Sequence, residues 1–171
     1  MIWTRRRALG ALLLVPVEGM AATCGIVTPR QTEGPFFKPQ SPQRNRLSET
    51  ATLVVAGRVL GPDCKPLANA LLDFWHADEK GDHDNSGFRF RGHQFTDAEG
   101  RYRLETIVPA MYPGRARHIH VKVQPRGGRI LTTQIYFPND PGNERDSLFR
   151  PELAMQMNAA GKGSFDFVVA A

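Results

Sequence analysis

Apolar and polar residues alternate along several short stretches of the chain, and polar turns separate these stretches. In residues 101–107, RYRLETI, the side chains of Tyr102, Leu104 and Thr106 alternate with charged ones, as in a strand with one face against a core. The turn sequence DAEG at 97–100 precedes this stretch. The other strand-like stretches are 52–60 (TLVVAGRVL), 71–78 (LLDFWHAD), 118–123 (HIHVKV), 130–137 (ILTTQIYF) and 164–169 (SFDFVV).

Short strands with turns between them are typical of two sheets packed face to face. We therefore predict an all-β fold, an antiparallel two-sheet β-sandwich with long loops. The stretch 151–157, PELAMQM, favours a helix, so we expect at most a short C-terminal helix. The 171 residues suit one sandwich domain at 51–171, an arm rich in Pro, Gln, Ser and Arg at 24–50, and a leader at 1–23.

The leader predicts export. It has a basic start with three arginines at 5–7, an apolar run too short to span a membrane, and small residues after it. The run TRRRAL resembles a twin-arginine signal. We expect a periplasmic or extracellular protein with no membrane span in the mature chain. An ordinary secretory signal and a retained anchor remain the alternatives.

Charge and cysteine content narrow the class of protein further. The net charge is +5, and without residues 1–23 it is +3, from 19 basic and 16 acidic residues. That charge is too small to indicate a nucleic-acid partner, and no basic cluster is interleaved with aromatic residues. Cys24 and Cys64 are the two cysteines of the chain. In an oxidising compartment they are expected to form one disulfide that joins the arm to the loop after the first strand, with two unpaired cysteines as the alternative.

The sequence YPGRARHIH, residues 112–120, contains the side chains best suited to bind a metal. On a strand, His118 and His120 point to one side and Ile119 to the other, toward a core. Two such imidazoles suit Zn, Cu, Fe or Ni, although surface or hydrogen-bonded histidines would show the same spacing. Tyr112 favours iron, because a phenol with a pKa of about 10 loses its proton only to a hard, strongly Lewis-acidic cation. The set therefore points to non-haem Fe(III).

Four segments together carry a resemblance to a known family: 28–37 (TPRQTEGPFF), 70–85 (ALLDFWHADEKGDHDN), 95–123 (FTDAEGRYRLETIVPAMYPGRARHIHVKV) and 131–137 (LTTQIYF). They resemble the intradiol ring-cleavage dioxygenases, which include catechol, protocatechuate and hydroxyquinol dioxygenases. The resemblance implies a β-sandwich that uses non-haem Fe(III) and O2 to open a small catecholic ring between its two hydroxyls, giving a muconate-type product. It is compatible with a homo-oligomer.

The resemblance also assigns roles to individual residues. Tyr112, His118 and His120 take three places in the iron site, and Tyr112 is the ligand that leaves the metal and accepts a proton. Arg115 is implied to be a cation beside the substrate, and Gln134 matches a glutamine near the active site. The arm residues Pro35 and Phe36 are implied to line the substrate pocket.

The fourth ligand is the position at which this sequence departs from the family. The family pattern after FWHAD is a glycine, one residue and a tyrosine, whereas GDH at 81–83 places His83 there. We predict His83 as the fourth ligand of a site one charge unit more positive than usual. The alternatives are a Cu or Zn site, ligation by His76 or His93, and a weakened site that His83 does not join. Tyr102 and Tyr136 are interpreted as structural.

Two other functions fit parts of the sequence. The segments 57–75 and 95–107 also resemble prealbumin-like modules that bind carbohydrate or peptide, in which the histidines would be incidental. A metal-binding or redox homologue that uses the altered site without ring cleavage is the second alternative.

Overall fold

The computed structural model describes residues 25–170. The predicted leader at 1–23 and Cys24 lie outside the described residues, so both the export signal and the Cys24–Cys64 disulfide stay predictions. No helix in the described part of the chain is long and apolar enough to cross a membrane.

Nine strands and two short 3-10 helices follow one another along the described chain. The strands are β1 (Leu53–Leu60), β2 (Leu71–Trp75), β3 (Arg91–Phe95), β4 (Arg101–Thr106), β5 (His118–Gln124), β6 (Leu131–Tyr136), β7 (Gln156–Met157), β8 (Lys162–Ser164) and β9 (Phe167–Val168). The 3-10 helices are Asn143–Arg145 and Pro151–Leu153.

The strands form two sheets, as the alternating pattern predicts. The first sheet has the order β4-β1-β8-β7, with β9 also beside β1, and the second has the order β3-β2-β5-β6. All pairs in the second sheet are antiparallel, but β1 runs parallel to β8 and β9. The predicted all-β, antiparallel two-sheet sandwich is therefore confirmed, and two very short strands near the C-terminus, β8 and β9, run parallel to β1.

The core lies between the sheets and is built from the apolar face of each strand. On β1, Leu53, Val55 and Val59 are fully buried, and Leu104 of β4 joins them in the same cluster. A side chain at Gly57 would put its Cβ 1.9 Å from the carbonyl oxygen of residue 165, so the close approach of the C-terminal chain to β1 requires glycine there.

The structure adds detail at two places where the local sequence pattern is weak. The helix expected at 151–157 is only one 3-10 turn, because Ala154 is extended and the Met155 N–H donates to the Tyr136 carbonyl of β6 at 2.9 Å. Strand β3, RGHQF, was not predicted, because its polar residues do not alternate with apolar ones. Tertiary pairing with β2 decides the conformation in this segment.

The arm, residues 25–50, runs across the outer face of the second sheet. It first contacts β9, where the Thr28 N–H donates to the Val168 carbonyl at 2.9 Å, and then β6, where the Gln31 N–H donates to the Thr132 carbonyl at 2.9 Å. It goes on to β3, where the Arg44 N–H donates to the His93 carbonyl at 2.8 Å. It ends against β4 of the first sheet, where Leu47 packs into the core. The arm therefore covers a sheet face that would otherwise be in contact with water.

Candidate metal centre

The two histidines of β5 lie on the outer face of the second sheet, beneath the arm. His118 is 4% exposed and His120 is 1% exposed, while Ile119 between them is fully buried in the core on the other face. Gln134 of β6 lies opposite His120 in the strand register, and Trp75 of β2 stacks on the His120 ring at 4.8 Å between centroids. The sheet thus holds both imidazoles in a buried and rigid setting.

Three possible metal-ligand atoms converge at this point, and we call them the donor cluster: Nε2 of His118, Nε2 of His120 and the hydroxyl oxygen of Tyr112. The Nε2 atoms of His118 and His120 are 3.1 Å apart, and the Tyr112 hydroxyl oxygen is 3.2 Å from His118 Nε2. His118 Nδ1 lies 2.7 Å from the Ala116 carbonyl, which fixes the proton on Nδ1 and leaves the Nε2 lone pair toward the cluster. Two donors about 2.1 Å from one metal, about 95° apart, are separated by about 3.1 Å. The spacing fits adjacent ligands of one ion.

The protonation states also fit a metal site. Burial, with Arg115 nearby, lowers the pKa of His118 to about 3, and burial brings the pKa of His120 well below its ordinary value. Both imidazoles are therefore neutral at neutral pH, as a ligand must be. Burial raises the pKa of Tyr112 although Arg115 opposes the shift. This phenol would need a strongly polarising cation to become a phenolate, and ferric iron suits one phenolate and two imidazoles.

Arg115 lies against the same cluster and is held on several sides. Its Nη1 donates to the Tyr112 hydroxyl at 3.3 Å, and its Nη2 donates to Gln134 Oε1 and to the Tyr136 hydroxyl. Its Nε donates to Asp146 Oδ2 at 3.0 Å. Burial alone would lower the pKa of Arg115, but Tyr112, Tyr136 and Asp146 raise it above its ordinary value. The guanidinium is therefore a fixed positive charge beside the donor atoms.

His83 lies at the edge of this cluster with both ring nitrogens buried and without a hydrogen-bond partner. Its ring stacks on Phe36 at 4.1 Å and meets Tyr112 edge-on at 5.7 Å between centroids. Burial, with Arg91 nearby, lowers the pKa of His83 to about 4, so its lone pair is free at neutral pH. Within residues 25–170, no group of three or more His, Cys, Asp or Glu side chains is placed to hold one ion. Ligation by His83 therefore stays a prediction.

The other sequence candidates lie elsewhere. His76 Nε2 is 2.7 Å from the Thr106 hydroxyl and its Nδ1 is 2.7 Å from the Ala77 carbonyl, so both nitrogens have partners. His93 contacts the arm at Ser41. Tyr102 is in the first sheet and donates to the carbonyl of residue 165. Of the residues interpreted as structural, only Tyr136 touches the cluster.

The arm supplies one wall of the site. Gly34 has a φ of +71°, and a Cβ there would lie 3.5 Å from His120 Cε1, so the chain passes directly over that imidazole. Phe36 covers His83 and Tyr112, whereas Pro35 between Gly34 and Phe36 is exposed. The roles of Pro35 and Phe36 as pocket residues stay predictions.

Two residues that support the site were not found from the sequence. Arg91 is 2% exposed and donates to the carbonyls of Phe36 and Asp84, which ties the arm to the loop that carries His83. Asp146 binds Arg115. Neither belongs to a periodic pattern or a ligand-like spacing, and both act through contacts distant in sequence.

Comparison with known proteins agrees with the site. A family model described as Dioxygenase matches residues 32–163. Catechol 1,2-dioxygenase 2 of Acinetobacter lwoffii is 38% identical over 144 residues, which cover 67% of this chain and 52% of that protein. The protocatechuate 3,4-dioxygenase beta chain of Burkholderia cepacia is 39% identical over 122 residues, 60% of this chain and 52% of that one. The chain spans about half the length of these relatives.

Solved structures show the same fold. The dioxygenase domain of a dioxygenase carbohydrate-binding protein fusion from Streptomyces sp. SirexAA-E superposes with a TM-score of 0.83 at 54% identity, covering 85% of this chain and 99% of that one. The 3-chlorocatechol 1,2-dioxygenase of Rhodococcus opacus 1CP gives a TM-score of 0.75 at 28% identity, with coverage of 84% and 72%. The chain belongs to the intradiol ring-cleavage dioxygenase family.

Proposed function

We propose that the protein uses O2 to cleave a catechol-like ring between its two hydroxyls at a non-haem Fe(III) ion, giving a muconate-type product. The observation that supports this most is the convergence of the Tyr112 hydroxyl with His118 Nε2 and His120 Nε2 on one buried face. When bound, ferric iron would hold both oxygens of the catecholate and draw electron density from its ring, which activates the ring toward O2.

Tyr112 and Arg115 are the residues that would handle protons and charge. Once it has lost its own proton to become a phenolate, the Tyr112 oxygen would accept a proton from a substrate hydroxyl, because it lies among the donor atoms and its raised pKa makes the phenolate a strong base. Arg115, 3.3 Å from that oxygen, would stabilise negative charge that develops on the ring. Arg115 is already fixed in place, so little reorganisation is needed when that charge forms.

The arm and the His83 loop would exclude water from the ring. Phe36 stacks on His83 and lies edge-on to Tyr112, so its ring would form an apolar wall suited to an aromatic substrate. The family often has tyrosine in this part of the arm. Phenylalanine removes one hydroxyl from the pocket, which favours a catechol without a polar substituent on that side.

We infer that His83 supplies the fourth ligand. Its two buried nitrogens lack partners, and a buried polar group without a partner is costly unless something binds it. Comparison of His83→Ala with His83→Tyr tests this: alanine should lower the iron retained per chain, and tyrosine should deepen the visible colour. Iron content and spectrum unchanged in both variants would exclude His83 as a ligand.

The proposed reaction is tested with iron-loaded protein, catechol and 18O2. We expect O2 uptake and a muconate product that carries both atoms of 18O2. Tyr112→Phe should lower kcat by about 100-fold or more, since the residue acts on proton transfer and on metal binding together. Tyr102→Phe is the matched control, because Tyr102 lies in the first sheet, away from the site, and its hydroxyl donates to the carbonyl of residue 165. Iron-loaded protein that neither consumes O2 nor changes catechol would favour the non-catalytic binding module.

A further inference from the structure

The loop after β6, residues 137–150, carries two buried aspartates in matching settings. The Asp146 carboxylate is 0% exposed and pairs with Arg115 at 3.0 Å. The Asp140 carboxylate is 1% exposed and pairs with Arg117 at 2.6 Å. Both arginines come from the segment just before β5, and both carboxylates also accept a backbone N–H of their own loop. Arg115 turns toward the donor cluster, whereas the side chain of Arg117 is 35% exposed.

We propose that Asp146 is a positioning residue of the ring-cleavage site, which orients Arg115 and His118 together. The inference rests on the proposed function, because the reaction is what the orientation serves. Asp146 itself touches none of the three converging donor atoms and acts only through its neighbours.

The first of these neighbours is Arg115. Asp146 Oδ2 accepts the Nε–H of this arginine, on one edge of the planar guanidinium. With that edge fixed, the plane can turn little, and its two terminal nitrogens are directed at the Tyr112 hydroxyl and at Gln134. Without Asp146, the Arg115 side chain would occupy several rotamers, and its guanidinium would not be held against the Tyr112 hydroxyl.

The second neighbour is the peptide of Ala116. The same oxygen, Asp146 Oδ2, accepts the Ala116 N–H at 2.9 Å. The Ala116 carbonyl in turn accepts the Nδ1–H of His118 at 2.7 Å. Partners of this kind set the tautomer and ring orientation of a ligating histidine. One oxygen of Asp146 therefore orients the guanidinium of Arg115 directly and the imidazole of His118 through the Ala116 peptide.

Both oxygens of Asp146 are needed as acceptors. Asp146 Oδ1 accepts the Leu148 N–H at 2.9 Å, so three N–H groups point at one buried carboxylate. Asparagine has the same shape, but it offers one oxygen and one NH2 group. In Asp146→Asn, the partner of Arg115 loses its negative charge, and in either orientation of the amide at least one of the three buried N–H groups faces the NH2 group instead of an acceptor.

The test compares Asp146→Asn with Asp140→Asn, two equal changes in one loop. Both variants should lose thermal stability, since each weakens an ion pair with a buried carboxylate. On iron-loaded protein with catechol as substrate, Asp146→Asn should lower kcat by about 10- to 100-fold with a smaller change in KM. Asp140→Asn should change kcat by less than about threefold. Equal effects of the two variants on kcat would overturn the proposal.

A second measurement does not depend on catalysis. In metal-free protein, the Arg115 Nε–H should exchange slowly with solvent by NMR in the wild type and in Asp140→Asn, and rapidly in Asp146→Asn. If the wild type cleaves no ring, the proposed function fails, and this exchange rate still decides the positioning role. Unchanged slow exchange in Asp146→Asn would refute it.

A third variant serves if Asp146→Asn does not fold. Asp146→Glu keeps the charge but displaces the carboxylate by one methylene. A lower kcat at wild-type iron content would support the proposal, and a kcat and KM equal to those of the wild type would refute it.

Discussion

The inner face of β5 is fully buried, and the outer face is buried at His118 and His120 and partly buried at Lys122 and Gln124. Different parts of the molecule cover the two faces. Ile119, Val121 and Val123 are fully buried against the other sheet, in one continuous core. His118 and His120, on the opposite face, are buried under the arm and the loops. The inner face needs only apolar side chains of the right size. The outer face is polar, and each buried polar group there needs a partner.

Some buried polar groups of the outer face have hydrogen-bond partners and others have none. Gln134 and the Nδ1 of His118 have partners, and so has Arg115. His120 Nδ1 and both nitrogens of His83 have none in the described structure. Buried groups without partners are costly, and they concentrate at functional sites. The inner face therefore contributes mainly stability, and the outer face contributes chemistry.

The largest effect is expected from a change on the inner face. Ile119→Ala should lower the free energy of unfolding by about 2–5 kcal/mol, because it opens a cavity in a closely packed core. Among correctly folded, iron-loaded molecules, kcat should change little. Denaturant unfolding and steady-state kinetics measure the two quantities, with Ile130→Ala, at a position 39% exposed, as the control. If Ile119→Ala lost kcat while its free energy of unfolding stayed unchanged, the inner face could not be assigned mainly to stability.

A smaller effect is expected at His76, a buried histidine whose nitrogens both have partners. Burial lowers its pKa to about 4, below the value of 6.5 expected in the unfolded chain. Between these pH values the unfolded state binds more protons, so stability falls as the pH drops from about 6.5 to about 4. His76→Gln should remove up to about 3 kcal/mol of this acid-induced loss in metal-free protein. Unfolding curves of wild type and variant that shift in parallel with pH would contradict this.

The smallest effect is expected where the arm meets the sheet. Lys122 lies 3.6 Å from the centre of the Phe37 ring and pairs with Glu33, so it holds part of the arm in place. Lys122→Met should cost about 0.5–1 kcal/mol, and high salt should reduce the difference. Lys65→Met is the control, since Lys65 is 81% exposed in its pair with Asp63, and it should leave thermal stability unchanged. A Lys122→Met protein as stable as the wild type would show that these contacts do not hold the arm.

The sequence predicted the inner face well, because that face depends on local alternation. The two-sheet fold, the strand of Tyr102 and Leu104, and the opposite orientations of His118 and Ile119 all follow from a period of two residues. The convergence of Tyr112 with both histidines came from the spacing of YPGRARHIH and from the family resemblance.

The outer face was predicted less completely, because its contacts join segments that are distant in sequence. Asp146 binds Arg115 across 31 positions, and Arg91 binds Phe36 across 55. Strand β3 has no apolar alternation, and the path of the arm, which passes over His120 at Gly34, is set by hydrogen bonds to β6 and β3. No local sequence pattern predicts such contacts, because they form only when the whole sheet is assembled.

The visible spectrum of iron-loaded protein tests the central claim most directly, because a phenolate bound to Fe(III) gives a charge-transfer band. We predict that the wild type is coloured, and that Tyr112→Phe loses the band at comparable iron content. Tyr102→Phe should keep the band. A colourless wild type that binds no iron, or a Tyr112→Phe protein with the wild-type band, would contradict the assignment of Tyr112, His118 and His120 to a ferric centre.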